Sequence, residues 1–148
     1  ELFEHHSFTE LTTFSINKQG LLKLDSFIDF LKATANQLIE ELPIPTIISA
    51  TDLDHGKTVS FRKGKIAERV AASCCMPVLF APQKINNTYY VDGGILMNLP
   101  VTPIRESVKV IAFNVSPLVA DEYKKNVVTI ALRAYHLFSS EHSVTKAY

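Results

Sequence analysis

Apolar positions recur with helical spacing in three stretches of the chain. Phe27, Ile28, Leu31, Ala35, Leu38 and Ile39 line up on one face, with Lys32, Asn36 and Glu40 on the other side. Asp25-Ser26 offers an N-cap, and Pro43 and Pro45 stop the pattern near Leu42. Ile66, Ala67, Val70, Ala71, Cys74 and Cys75 cover a wide apolar arc, which predicts a second helix over Ile66 to Met76, ended by Pro77. Val128, Ala131, Leu132, Tyr135 and Phe138 share one face of a last helix that Asn126 can cap.

Between these stretches the pattern turns to strands. Pro45 to Asp52 is β-branched and lacks clean alternation, which suits a strand buried on both faces, as in a parallel sheet. Asp54-His55-Gly56 signals a turn into Thr58-Val59-Ser60-Phe61, so residues 48–61 read as a hairpin. Phe80-Ala81-Pro82 is extended. Asn86-Asn87 is a turn, and Thr88 to Val91 is a strand running into Asp92-Gly93-Gly94. Val108 to Val115 is the most strand-like run of all and ends at Ser116-Pro117. Near the start, Phe8 to Ile16 fits a strand or a loop with an edge strand, punctuated by Gly20. Helices and strands thus interleave, which predicts an α/β layer fold with a mostly parallel sheet.

Composition narrows the classes. At 148 residues the chain is long enough for one domain with a real core. Its 47% hydrophobic and 20% charged residues exclude intrinsic disorder, and 5 Gly with 7 Pro exclude collagen-like repeats. The 15 basic and 15 acidic residues cancel, so no net charge points to nucleic acid, and no polybasic run points to anionic lipid. The two cysteines, Cys74 and Cys75, are adjacent and cannot form a disulfide framework, which favours a reducing, cytoplasmic setting. No apolar run is long enough to span a bilayer, and no signal-peptide pattern opens the chain. It begins at Glu1 rather than Met, as a piece of a longer polypeptide would.

Chemistry concentrates around Asp92. It ends an apolar strand and precedes two glycines, which let the backbone take unusual angles or let another group come close. A carboxylate at a strand end in an α/β sheet lies where such folds place ligands. Its flank of Tyr90, Val91, Ile95 and Leu96 would desolvate it and make it a better proton acceptor near neutral pH. The same Asp-Gly pair also reads as an ordinary hairpin signal.

Ala72-Ser73-x-x-x-Pro77-x-x-Phe80-x-Pro82, the strand ending in Asp92-Gly93-Gly94, and then Asn98-x-Pro100 together resemble the C-terminal half of patatin-like phospholipases. Ala50-Thr51-Asp52-Leu53, Phe61 and Gly64 match the usual lead-in to that block, and the resemblance covers about residues 45 to 140. It implies a three-layer α/β domain whose central sheet is flanked by helices. The implied activity is a lipid acyl hydrolase with a Ser/Asp dyad and no histidine, cofactor or metal. The serine belongs to a Gly-x-Ser-x-Gly turn, and a Gly-rich loop supplies the oxyanion hole. Asp92 inherits the catalytic role, Gly93 and Gly94 let it approach the serine, and Asn98 and Pro100 shape the turn behind it. The implied partner is a lipid or ester substrate, met in the cytoplasm or at the membrane periphery, with no nucleic acid and no defined oligomer.

None of Gly20, Gly56, Gly64, Gly93 or Gly94 forms Gly-x-Ser-x-Gly. The expectation is therefore a domain truncated on its nucleophile side, silent by itself. Two other readings compete: a non-catalytic module of the same fold that binds acyl chains or a partner, and a nucleotide-binding α/β protein with Asp92 on a ribose or Mg²⁺. The second lacks a phosphate-cradling Gly loop. His5-His6 has no ligand partner at regular spacing, His55 fits a solvated turn, and His136 fits a packed or boundary position. Asp52 and Asp54 could suggest a cation, but two carboxylates in a turn more often cap or are solvated. Ser73 lacks a nucleophile-elbow turn, and Cys74 and Cys75 sit in an apolar segment suited to packing.

Overall fold

The computed structural model describes residues 13–17, 20–104, 109–113 and 122–144, with side chains placed from Leu24 to Ser140 within those spans. The first described element is a hairpin, β1 (Thr13–Asn17) against β2 (Gly20–Lys23), antiparallel. Helix α1 (Asp25–Thr34) follows. It is capped at Leu24 rather than at Asp25-Ser26, and it ends well before Leu42. The reason is a competing partner: Gln37 O accepts from Ile66 N (3.1 Å), Ile39 N donates to Gly64 O (2.9 Å), and Gly64 N donates to Glu40 Oε2 (2.8 Å). These long-range bonds satisfy the backbone that a longer helix would have satisfied locally.

The central sheet has the order β4-β3-β6-β5. Its members are β3 (Ile48–Asp52), β4 (Lys57–Phe61), β5 (Gln83–Ile85) and β6 (Thr88–Asp92). Every described pairing in it is antiparallel, against the expected mostly parallel sheet. A run without alternation reports burial on both faces, and β3 does bury Ala50, Thr51 and Asp52 in succession. Direction is set by connections instead: the short turns after β3 and β5 can only join antiparallel neighbours. Gly56 (φ 63°) closes the first turn, and Asn86 (φ 48°) with Asn87 (φ 70°) closes the second as a primed hairpin turn.

Helix α2 (Ile66–Ser73) packs across β3, β5 and β6. Its buried seam is Ala67, Ala71 and Ala72, narrower than the predicted arc, and it leaves Cys74 exposed. Small side chains there let the helix lie close on Ala50 and Ile85, with Phe61 and Tyr90 packing at the edge. The Phe61 and Tyr90 rings meet edge to face at 5.2 Å, and the Arg69 guanidinium sits 5.1 Å above the Phe61 ring. A second cluster of Leu24, Cys75 and Phe80, joined by Phe27 and Ile28, fastens α1 to the segment after α2.

Beyond β6 come a single helical turn, α3 (Gly94–Met97), and α4 (Val127–Val144), which pack on each other. Asn126 caps α4 as expected, its Oδ1 accepting from Thr129 N at 2.9 Å. Phe138 is half-exposed rather than on the inner face, where Ser139 and Ser140 are buried. The strand expected over Val108 to Val115 is not formed in its described part: residues 109–113 are irregular, with Ile111 and Phe113 more than four-fifths exposed. No described strand pairs with them, and an apolar run without a ladder partner is not held as a strand. The rest of that run, like His5 and His6, lies outside the described residues.

Candidate active site

The end of β6 is held from both sides. Asp92 N donates to Cys75 O (2.9 Å), and Asp92 O accepts from Thr51 Oγ1 (3.0 Å). In the β3–β6 ladder Asp92 stands opposite Ala50. Gly93 follows so close to β3 that a Cβ on it would lie 2.7 Å from Ser49 O, inside contact distance of backbone. Glycine is required here for close approach, not for an unusual φ.

The carboxylate then turns back on its own chain: Asp92 Oδ1 accepts from Gly94 N at 2.7 Å. A Cβ on Gly94 would meet Asp92 Oδ1 at 3.1 Å, Asn98 Oδ1 at 3.3 Å and the Tyr135 hydroxyl at 3.4 Å. Three polar side chains therefore converge on the space that Gly94 leaves open. Burial raises the Asp92 carboxyl above its ordinary value of 3.8, opposed by hydrogen bonds from Gly94 and from Tyr135. Tyr135 is pushed up as well, by burial first and by the Asp92 charge second, so it keeps its proton.

Asp92, Gly93, Gly94, Asn98 and Pro100 all line one cavity of about 310 Å³. The structure thus brings together every residue that the sequence marked out for this site. Ser49, Ser73 and Met97 join them on its wall. A larger cavity of about 700 Å³ shares Ile47, Ser49 and Pro100 with it and continues along Leu42, Pro45 and Ile104. Residues that sequence reasoning missed are Thr51 and Cys75, which pin the Asp92 backbone, and Tyr135, which reaches its carboxylate. In the sequence Cys75 and Tyr135 stand only as members of apolar helical faces, and Thr51 only as part of the Ala50-to-Leu53 strand end. The Cys75 thiol is fully buried, and burial pushes it up to about 12, so it packs rather than reacts.

The other candidates are occupied locally. Asp52 is almost wholly buried, and both its oxygens lie within 3.0 Å of His55 Nδ1. His55 is therefore paired rather than merely solvated. Asp54 Oδ2 accepts from Tyr89 N at 2.9 Å. His136 is half-buried on α4, 3.5 Å from the Arg133 guanidinium. Among the described residues no group of three or more His, Cys, Asp or Glu is arranged to hold a metal ion, and no helix is long and apolar enough to cross a membrane.

Parts of the chain are similar to known proteins. An uncharacterized NTE family protein of Mycobacterium tuberculosis is 37% identical over 91 residues, which is 61% of this chain and 25% of that protein. Lysophospholipase NTE1 of Cryptococcus neoformans is 34% identical over 76 residues, 51% of this chain and 5% of that protein. A second uncharacterized NTE family protein of M. tuberculosis is 37% identical over 65 residues, 44% of this chain and 11% of that protein. The chain thus matches a quarter or less of the length of these relatives. The family profile of patatin-like phospholipases matches residues 4–105, a span that holds β3 through α3 and Asp92 with both its glycines. The chain belongs to the patatin-like phospholipase family.

Proposed function

We propose that this chain supplies the aspartate arm of a Ser/Asp lipid acyl hydrolase, with the serine provided from outside these 148 residues. One observation carries the reading: a carboxylate held by neutral donors, and titrating above its ordinary range, lines a cavity at the end of β6. Family membership and the lysophospholipase named among the relatives support an ester of a lipid as substrate.

A serine hydroxyl is a poor nucleophile until a base takes its proton. Asp92 accepts that proton as the serine oxygen bonds to the ester carbonyl carbon. Backbone donors outside this chain hold the oxyanion. Collapse breaks the acyl–oxygen bond, and the departing alkoxide takes the proton back from Asp92. Water then repeats the cycle: Asp92 accepts its proton, hydroxide adds to the acyl-serine, and the serine leaves reprotonated with release of the fatty acid. A base whose pKa lies nearer the working pH performs both transfers better than an ordinary aspartate.

The test is the intact mass of the full polypeptide carrying this chain, before and after a fluorophosphonate. One adduct on the wild type, slowed strongly in Asp92→Asn, is the expected result. No adduct on a polypeptide that hydrolyses no lipid ester would overturn the reading in favour of a binding module of the same fold.

A further inference from the structure

We propose that Tyr135 on α4 is a positioning residue for Asp92: its hydroxyl donates to the carboxylate and holds it in the orientation that faces the cavity. The inference deepens the base reading of Asp92 and depends on it for its catalytic consequence.

The geometry has three parts. Tyr135 Oη, Asn98 Oδ1 and Asp92 Oδ1 lie within 3.4 Å of the one point that a Gly94 Cβ would fill, so the tyrosine reaches Asp92 only across a glycine. The Gly94 N–H already fixes Oδ1 at 2.7 Å, and the tyrosine adds a second donor from another element. A carboxylate held by two donors from different directions loses both if it rotates about its terminal bond. Finally, both donors are neutral. They orient the group without cancelling its charge, which an arginine or lysine in the same place would do. The upward shift of Tyr135 keeps it protonated, and so a donor, wherever Asp92 is ionised.

Helix α4 lies beyond the residues 4–105 that the family profile matches. The contact therefore lies outside the matched block, and it ties the site to a helix that packs on α3.

The experiment compares wild type, Tyr135→Phe and Asp92→Asn in the full polypeptide. Phenylalanine keeps the ring and its packing while removing the donor. Two quantities are read: the pH profile of kcat/KM on a lysophospholipid, and the titration of the Asp92 carboxyl by ¹³C NMR, assigned by its absence in Asp92→Asn. The expected result for Tyr135→Phe is an acid limb and an Asp92 titration both moved up by about one pH unit, since a hydrogen bond to a charged group is lost. KM stays close to wild type while kcat falls. An Asp92 titration that does not move, or moves down, overturns the role of Tyr135. Full activity in Asp92→Asn would overturn the base reading instead, and the NMR titration would still decide whether Tyr135 holds the carboxylate.

Discussion

Two aspartates end neighbouring antiparallel strands on the same face of the sheet, and their environments drive them in opposite directions. Burial acts on both. At Asp52 it is outweighed by hydrogen bonds from the side chain and backbone of His55 and by the charges of His55 and Lys57, so the carboxyl titrates below its ordinary 3.8. Lys57 is there because it stands directly opposite Asp52 in the β3–β4 ladder. Asp92 stands opposite Ala50 and, among the described residues, is opposed in its upward shift by the Gly94 N–H and the Tyr135 hydroxyl; burial prevails and the carboxyl rises. One carboxylate is held ionised as an anchor for a turn; the other is destabilised in its ionised form, as the proposed base role requires. Register decides which is which, and opposed shifts within one sheet are what the proposed division of roles would need.

The comparison breaks most severely at Gly93. Gly93→Ala places a Cβ 2.7 Å from Ser49 O and must push β6 off β3, at a cost of about 3 kcal/mol as overpacking against rigid backbone. Denaturant unfolding should show this loss, with activity lost as well because Asp92 shifts with the strand.

Neutral-pH melting sharpens the contrast through its sign. Asp52 has a lowered folded pKa, so its contribution is present above 3.8 and is lost as pH falls through the folded value. Asp92 has a raised folded pKa, so its contribution is full below 3.8 and is lost as pH rises through the folded value. At pH 7 Asp52→Asn should therefore lower the melting temperature and Asp92→Asn should raise it. Equal signs would show that the two carboxylates do not differ as described. The smallest effect belongs to His55→Ala, which removes the imidazole hydrogen bond to Asp52. Its acid-unfolding midpoint should move to higher pH, while turnover by the full polypeptide is unchanged.

The sequence exposed much of this region and little of its support. The Asn86-Asn87 turn and the 48–61 hairpin are legible because each depends on neighbours in the chain, and Asp92-Gly93-Gly94 is legible as part of a family-like motif. The sheet's antiparallel order is not, because a β-branched run without alternation, such as Pro45 to Asp52, reports burial and not strand direction. The end of α1 was misjudged because Gln37 and Ile39 bond to residues around Gly64. Tyr135 was read as one more apolar position on a helical face, and nothing local reveals that its hydroxyl reaches a carboxylate on another element. Val108 to Val115 had the strongest strand pattern and, where described, forms none: β-propensity needs a ladder to act on.

The most direct test of the central claim is kcat/KM of the full polypeptide on a lysophospholipid for Asp92→Asn beside Asp52→Asn. Asp92→Asn is expected to lower it by about 10²–10⁴-fold, the usual range for loss of a general base, in a protein that melts no lower than wild type at neutral pH. Near wild-type turnover is expected for whatever fraction of Asp52→Asn remains folded. Wild-type turnover in Asp92→Asn would contradict the base role of Asp92.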